Sequence, residues 1–111
     1  MKIKVNYNGN KIIIGIDGNL KYGDGDEFNE IIENQLKIGG RLFVFDLSLM
    51  PYINSAVIGQ FVSALKKIKE KEGRAIFCGV RPYIQNIFEI TRLLEIFEIT
   101  SDVNSALDKL N

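Results

Sequence analysis

Histidine is missing from the 111 residues of this chain, and that absence narrows its chemistry more than any other feature of the composition. Without an imidazole there is no Ser-His-Asp or Cys-His nucleophile, and the commonest general base and metal ligand near neutral pH is gone. Carboxylate, lysine or tyrosine chemistry would need a paired constellation, and none stands out along the chain. Phosphate-cradling glycine patterns are absent as well, both the Walker loop and G-x-G-x-x-G. Cysteine occurs once, as Cys78, so no internal disulfide can form and a reducing, cytoplasmic setting is expected. Charge of one sign is not in excess: fourteen Lys and Arg balance fourteen Asp and Glu. No overall field gathers nucleic-acid phosphates or anionic lipid. Long apolar runs are lacking too. "IIIGI" and "LFVF" fall far short of the ~20 residues that span a bilayer, and "MKIKVNYNGN" has no apolar centre of a signal peptide. The expectation is a protein without catalytic activity, cofactor or bound metal, with no direct nucleic-acid contact and no membrane insertion.

What is present is material for one α/β domain covering residues 1–111: 46% of the residues are hydrophobic and 25% charged, enough for one real core. "KIKVNYNGNKIIIGID" holds two short Ile- and Val-rich segments around Asn8-Gly9, which predicts an opening β-hairpin. Phe28, Ile31, Ile32, Gln35 and Leu36 then recur at helical spacing behind Asp24, Asp26 and Glu27, and Gly39-Gly40 ends the pattern. "RLFVFDL", residues 41–47, is a nearly continuous apolar run and reads as a strand buried on both faces. A second helix is expected from about Ser55 to Lys71, with Val57, Ile58, Phe61, Val62, Leu65 and Ile68 on one side and Gln60, Ser63, Lys67 and Glu70 on the other. "RAIFCGV" repeats the buried-strand character. Pro82 opens a third helix, Phe97 to Ile99 form a short last strand, and Val103, Ala106, Leu107 and Leu110 close the chain as a helix capped by Ser101 or Asp102. This order implies a mixed β-sheet, an N-terminal hairpin joined to parallel strands, packed against about four helices. No linker, repeat or low-complexity segment interrupts it.

In such a sheet the loop from Ser48 to Asn54 leaves the carboxyl end of the central strand and Ser55 begins the next helix, at the edge where open α/β sheets bind their ligands. Either Asn54 or Ser55 would serve as the helix N-cap, worth about 1 kcal/mol. The functional alternative is phosphorylation of Ser55, because free N–H groups and the positive end of the helix dipole accommodate a phosphate.

The run "RLFVFDLSLMPYINSAVIGQFVSALKKIKEKEGRAIFCGVRPYIQNIFEITRLLEIFEI" resembles the STAS domain of bacterial anti-sigma factor antagonists of the SpoIIAA-like kind. Asp46, Ser55, Gly59, Gly73-Arg74 and Thr91-Arg92-Leu93 occupy the positions of that family's motifs. Three residues depart from the pattern: Asn54 where Asp is usual, Val57 where Gly is usual, and Arg92 where Gly is common. The resemblance implies that the unphosphorylated domain binds an anti-sigma factor that is also a serine kinase and thereby releases a sigma factor. Phosphorylation of Ser55 would break that complex and a serine phosphatase would restore it. The implied partner-binding residues are Asp46, Asn54, Ser55, Ala56, Val57 and Gln60, on a protein expected to be monomeric. The alternative implied by the family is a stand-alone STAS subunit of a lipid-transporting ABC transporter.

Other features favour structural roles. "GDGDE", residues 23–27, lacks the glutamate that an EF-hand requires at position twelve of a loop counted from its first aspartate, and suits the first turn of a helix. Lys66, Lys67, Lys69 and Lys71, interrupted by Glu70 and Glu72, read as a solvated helix end, the alternative being a contact for an acidic partner. Cys78 in "IFCGV" reads as core packing. Asp46 fits equally a functional carboxylate near Ser55 or a strand-end residue capping local backbone N–H groups.

Overall fold

The alternation of buried strands and amphipathic helices builds an open five-stranded sheet in the order β1-β2-β3-β4-β5. The computed structural model describes residues 2–18 and 24–111, and the side chain of Asp24 is also outside the description, as is Gly23 of the acidic run. The strands are β1 (Lys2–Asn8), β2 (Lys11–Asp17), β3 (Leu42–Asp46), β4 (Arg74–Cys78) and β5 (Glu98–Thr100), and the helices are α1 (Asp24–Lys37), α2 (Ser55–Glu70), α3 (Pro82–Ile90) and α4 (Val103–Lys109). A 3-10 turn, Leu93–Glu95, lies between α3 and β5. β1 runs antiparallel to β2, and every other neighbouring pair is parallel. The mixed sheet and four helices expected from the sequence are therefore present. Helix crossovers between adjacent parallel strands place the ends of β3 and β4, with the loops that follow them, side by side.

The two faces of the sheet are covered unequally. Phe43, Phe45, Ala75 and Phe77 point to one face, where Phe28 of α1, Phe61 of α2 and Phe88 of α3 meet them in a single core. Phe45 and Phe61 each touch Phe28 and Phe77, with ring centroids 5.1 to 5.8 Å apart. The alternate residues Val44, Ile76 and Cys78 face the other way, against Ala106 and Leu110 of the short α4. Period-two alternation with both faces covered is why these strands read as unbroken apolar runs. Arg74 fixes the C-terminal end of α4. Its guanidinium holds Glu98 through two hydrogen bonds of 2.6 and 2.7 Å and donates a third to the Lys109 carbonyl at 3.0 Å.

Several boundaries differ from those expected. The hairpin turns on Gly9 and Asn10, with Asn8 paired to Lys11, and Gly9 takes the positive φ of 60° that a glycine-first turn needs. β5 lies one residue later than expected, and Lys71 caps α2 instead of ending it. Asp102, not Ser101, caps α4, its Oδ1 accepting from the Ser105 N–H at 2.8 Å. Arg92, where the resembling family commonly has Gly, sits in the left-handed region at φ 62°, ψ 21°, so the family's glycine preference there has a conformational basis that this chain overrides.

Candidate functional site

β3 delivers its chain to the carboxyl edge of the sheet, and the loop that follows is fastened on several sides. Leu47 donates its N–H to the Cys78 carbonyl at 2.9 Å, and the Leu49 carbonyl accepts from the Gly18 N–H at 2.9 Å. Leu47 and Met50 are fully buried, which pins the loop from below and leaves Ser48, Leu49 and Tyr52 at its outer surface. Arg81, from the neighbouring β4–α3 junction, donates its Nε–H to the Ser48 carbonyl at 3.1 Å. Tyr83 sets its ring edge-on against Tyr52, with centroids 6.1 Å apart. Gly79 lets the two loops approach: at its φ of 64°, a Cβ would lie 2.9 Å from Ser48 Cβ and 3.0 Å from Asp46 Oδ1.

The loop ends at Asn54, and Asn54 is the N-cap. Its extended backbone (φ −131°, ψ 174°) turns the side chain so that Oδ1 accepts the Val57 N–H at 2.9 Å. An asparagine performs this duty as well as the aspartate usual in the resembling family, without bringing a charge. Ser55 is consequently the first helical residue, exposed and relieved of capping. Among the described residues its hydroxyl has no hydrogen-bond partner. Ala56 and Gly59 are exposed beside it, so the helix surface there is small side chain and bare backbone. No acidic residue occupies the first turn of α2, and residues 47–65 contain no Asp, Glu, Lys or Arg. Neither the first turn of α2 nor the loop before it thus supplies a charge to compensate the positive end of the helix dipole.

The six residues expected to face a partner do not form one surface. Asn54, Ser55 and Ala56 do, as neighbours on the exposed start of α2. Val57 is 3% exposed and belongs to the core, because its position in the helix turns it toward the sheet. Its bulk is absorbed inside the fold, and the approach to Ser55 is lined by Ala56 and Gly59 instead. Gln60 is half-buried against α1, where a Cβ on Gly25 would lie 2.6 Å from Gln60 Nε2. Asp46 shares the sheet edge with Ser55 but belongs, by strand alternation with Val44, to the opposite face. Its Oδ1 accepts the Ser48 N–H at 3.0 Å, the strand-end capping role. There it lines a shallow hollow of roughly 300 Å³ with Ser48, Gly79, Ser101, Asp102 and Asn104. Burial first, then the Asp46 and Asp102 charges, push the Cys78 thiol up to about 12, so it stays protonated and inert at neutral pH.

Sequence reading missed Arg81 and Tyr83. Nothing in "VRPY" marks them, since only the pairing of β3 with β4 brings residues 81–83 against residues 48–52. The lysines of α2 divide: Lys67 bonds Asn29 and Glu33 of α1, the latter at 3.0 Å, whereas Lys66, Lys69 and Lys71 are exposed at the far end of a helix about 24 Å long.

A five-stranded sheet of this topology, with a serine at the start of the helix after its central strand, defines a domain class. The sequence pattern of the STAS domain matches residues 2–106, and the chain belongs to the STAS domain family. A relative in Bordetella bronchiseptica, BtrV, described as a candidate anti-sigma factor antagonist, is 24% identical over 106 residues, covering 96% of this chain and 91% of its own. The crystal structure of a candidate anti-sigma factor antagonist from Thermotoga maritima superposes with a TM-score of 0.89 at 18% identity, covering 96% of this chain and 92% of that one. The Bacillus cell-fate determinant SpoIIAA, solved in its phosphorylated form, superposes with a TM-score of 0.77 at 13% identity, covering 99% and 100% of the two chains. Among the described residues no helix is long and apolar enough to cross a membrane.

Proposed function

We propose that this STAS domain is an anti-sigma factor antagonist switched by phosphate on Ser55. The observation that carries the reading is the start of α2: an exposed serine hydroxyl with no hydrogen-bond partner among the described residues, freed by Asn54 from capping, in a helix turn that carries no charged residue. Relatives described as anti-sigma factor antagonists and a fold neighbour solved in a phosphorylated form support it. In the unphosphorylated state the small, uncharged surface of Ser55, Ala56 and Gly59 docks on an anti-sigma factor, which lets go of its sigma factor. That partner is also a serine kinase. It transfers the γ-phosphoryl group of ATP to Ser55 Oγ, so that an O–P bond forms, ADP leaves and the hydroxyl proton passes to the kinase. The phosphate brings about −1.5 to −2 charges into a surface that had none, and desolvating them against the partner breaks the complex. A serine phosphatase resets the cycle.

The test is a kinase reaction with the anti-sigma factors encoded in the same genome, ATP and this chain, followed by mapping of phosphate by mass spectrometry. One phosphate on Ser55, abolished in Ser55→Ala and accompanied by loss of the complex, is the expected result. Phosphate confined to other residues, or none with an anti-sigma factor that binds the chain, refutes the switch.

A further inference from the structure

Beside the start of α2 lies a second exposed feature that the switch leaves unused. Leu49 is 56% exposed, Tyr52 63% and Tyr83 57%, and the two tyrosine rings stand against each other between the β3–α2 loop and the first turn of α3. Rigid, half-exposed aromatic rings next to a large aliphatic residue are the composition of interface centres, because they bury much area at little cost in conformational freedom. The patch is continuous with Ser55, which follows Tyr52 by three residues on the same fastened loop. Its electrostatics are one-sided. Residues 47–65 carry no charge, while Arg81 is exposed at the edge of the patch. Among the described residues only the Nε of that guanidinium is engaged, on the Ser48 carbonyl, and Arg81 makes no ion pair, unlike Lys67, Arg74 and Arg92. Its terminal nitrogens are free to meet a carboxylate as a fork.

We infer that Tyr83 and Arg81 extend the Ser55 face into a two-loop docking surface, and that the protein partner covers it with an apolar patch carrying one carboxylate that pairs with Arg81. The inference rests on the partner-switch reading above and adds to it the chemistry of the partner. Tyr52 and Tyr83 supply the contact area, Arg81 selects among partners by charge, and Ser55 sits at the rim where a phosphate acts. A single cation in an otherwise uncharged patch discriminates, because a partner with a basic or missing group opposite Arg81 leaves that guanidinium desolvated without a counter-charge.

The experiment titrates purified anti-sigma factors of the same genome, singly, against wild type, Tyr83→Ala, Tyr83→Phe, Arg81→Gln, Arg81→Glu and Ser55→Asp, at low and high salt. Expected are a loss of about tenfold or more for Tyr83→Ala, wild-type affinity for Tyr83→Phe, and a loss of about tenfold for Arg81→Gln with a further loss for Arg81→Glu. Wild-type affinity should weaken with salt, and that dependence should shrink in Arg81→Gln. If Ser55→Asp weakens binding while the Tyr83 and Arg81 variants bind like wild type, the inference is overturned and the switch stands. Equal, salt-independent losses for Arg81→Gln and Arg81→Glu would mean that Arg81 acts only by holding the Ser48 carbonyl, which also overturns the carboxylate partner. If no anti-sigma factor binds the wild-type chain, both readings fall.

Discussion

Two helices of this domain start at the same edge of the sheet, each behind a capping side chain and each beside a serine, and only one of them is fit to receive a phosphate. At α2 the cap is the neutral Asn54, and among the described residues the Ser55 hydroxyl is unengaged. At α4 the cap is Asp102, whose hydrogen bond from the Ser105 backbone holds its carboxyl below the usual carboxylate range. The serine hydroxyls there are already used on each other, Ser101 to Ser105 at 3.3 Å, with Asp46 lining the same hollow. A phosphate at α4 would meet carboxylates; at α2 it meets the dipole of a helix whose first turn carries no acidic residue. Serine at a helix start is therefore common to both places, and the charge of the cap and the occupancy of the hydroxyl separate the proposed switch from a structural turn.

The comparison breaks most visibly in the core. Phe61, fully buried among Phe28, Phe45 and Phe77, anchors α2, and Phe61→Ala should cost about 3–5 kcal/mol in denaturant unfolding. Leu110, which anchors the short α4 with Ala106, lies in a smaller cluster at 7% exposure, and Leu110→Ala should cost less, about 2–3 kcal/mol. Equal losses would mean that the two faces hold the sheet alike.

Removing the caps sharpens it. Asn54→Ala should cost about 1 kcal/mol at any pH, since an amide cap does not titrate. Asp102→Ala should destabilise at neutral pH and lose that effect in acid. The sign follows from linkage: a carboxyl held below its usual range in the folded state stabilises above the ordinary carboxylate pKa, and that stability is lost as pH falls through the folded value. Glu98, held low chiefly by its hydrogen bonds from Arg74, behaves the same way and lies on the same side of the sheet. Amide hydrogen exchange measured from neutral pH down to about pH 3 should show β5 and α4 losing protection before the body of α2. Simultaneous loss would contradict the division.

The smallest effect is on the fold at the proposed switch itself. Ser55→Asp should leave the melting temperature unchanged or raise it, by the equivalent of about 0.3–1 kcal/mol, because a carboxylate in the first turn complements the dipole. A large loss of stability would show that the hydroxyl is needed inside the structure.

Much of this division is legible in the sequence. The apolar runs "LFVFD" and "RAIFC" announce buried parallel strands because both faces are covered, and the position of Ser55 at a helix start follows from their order. Which side chains meet across the fold is not legible. Val57 falls on the apolar stripe of α2, so its burial follows from helical spacing, but only the way α2 sits against α1 decides that Gln60, from the polar side, packs over Gly25. Asp46 lies nine residues before Ser55, yet strand alternation sends it to the opposite face. Tyr83 and Arg81 are invisible from their neighbours, because their partners lie about thirty residues away on the loop after an adjacent strand.

The claim that a charge on Ser55 costs the fold little and the interface much is tested most directly by titrating Ser55→Ala and Ser55→Asp against the anti-sigma factor that binds wild type. The alanine form removes the phosphate acceptor and little contact area, so it should bind as wild type does. The aspartate form should bind at least about tenfold more weakly, a difference of ~1.4 kcal/mol, while melting no lower than wild type. Equal affinities for the two variants would contradict the account and leave Ser55 an ordinary first residue of a helix.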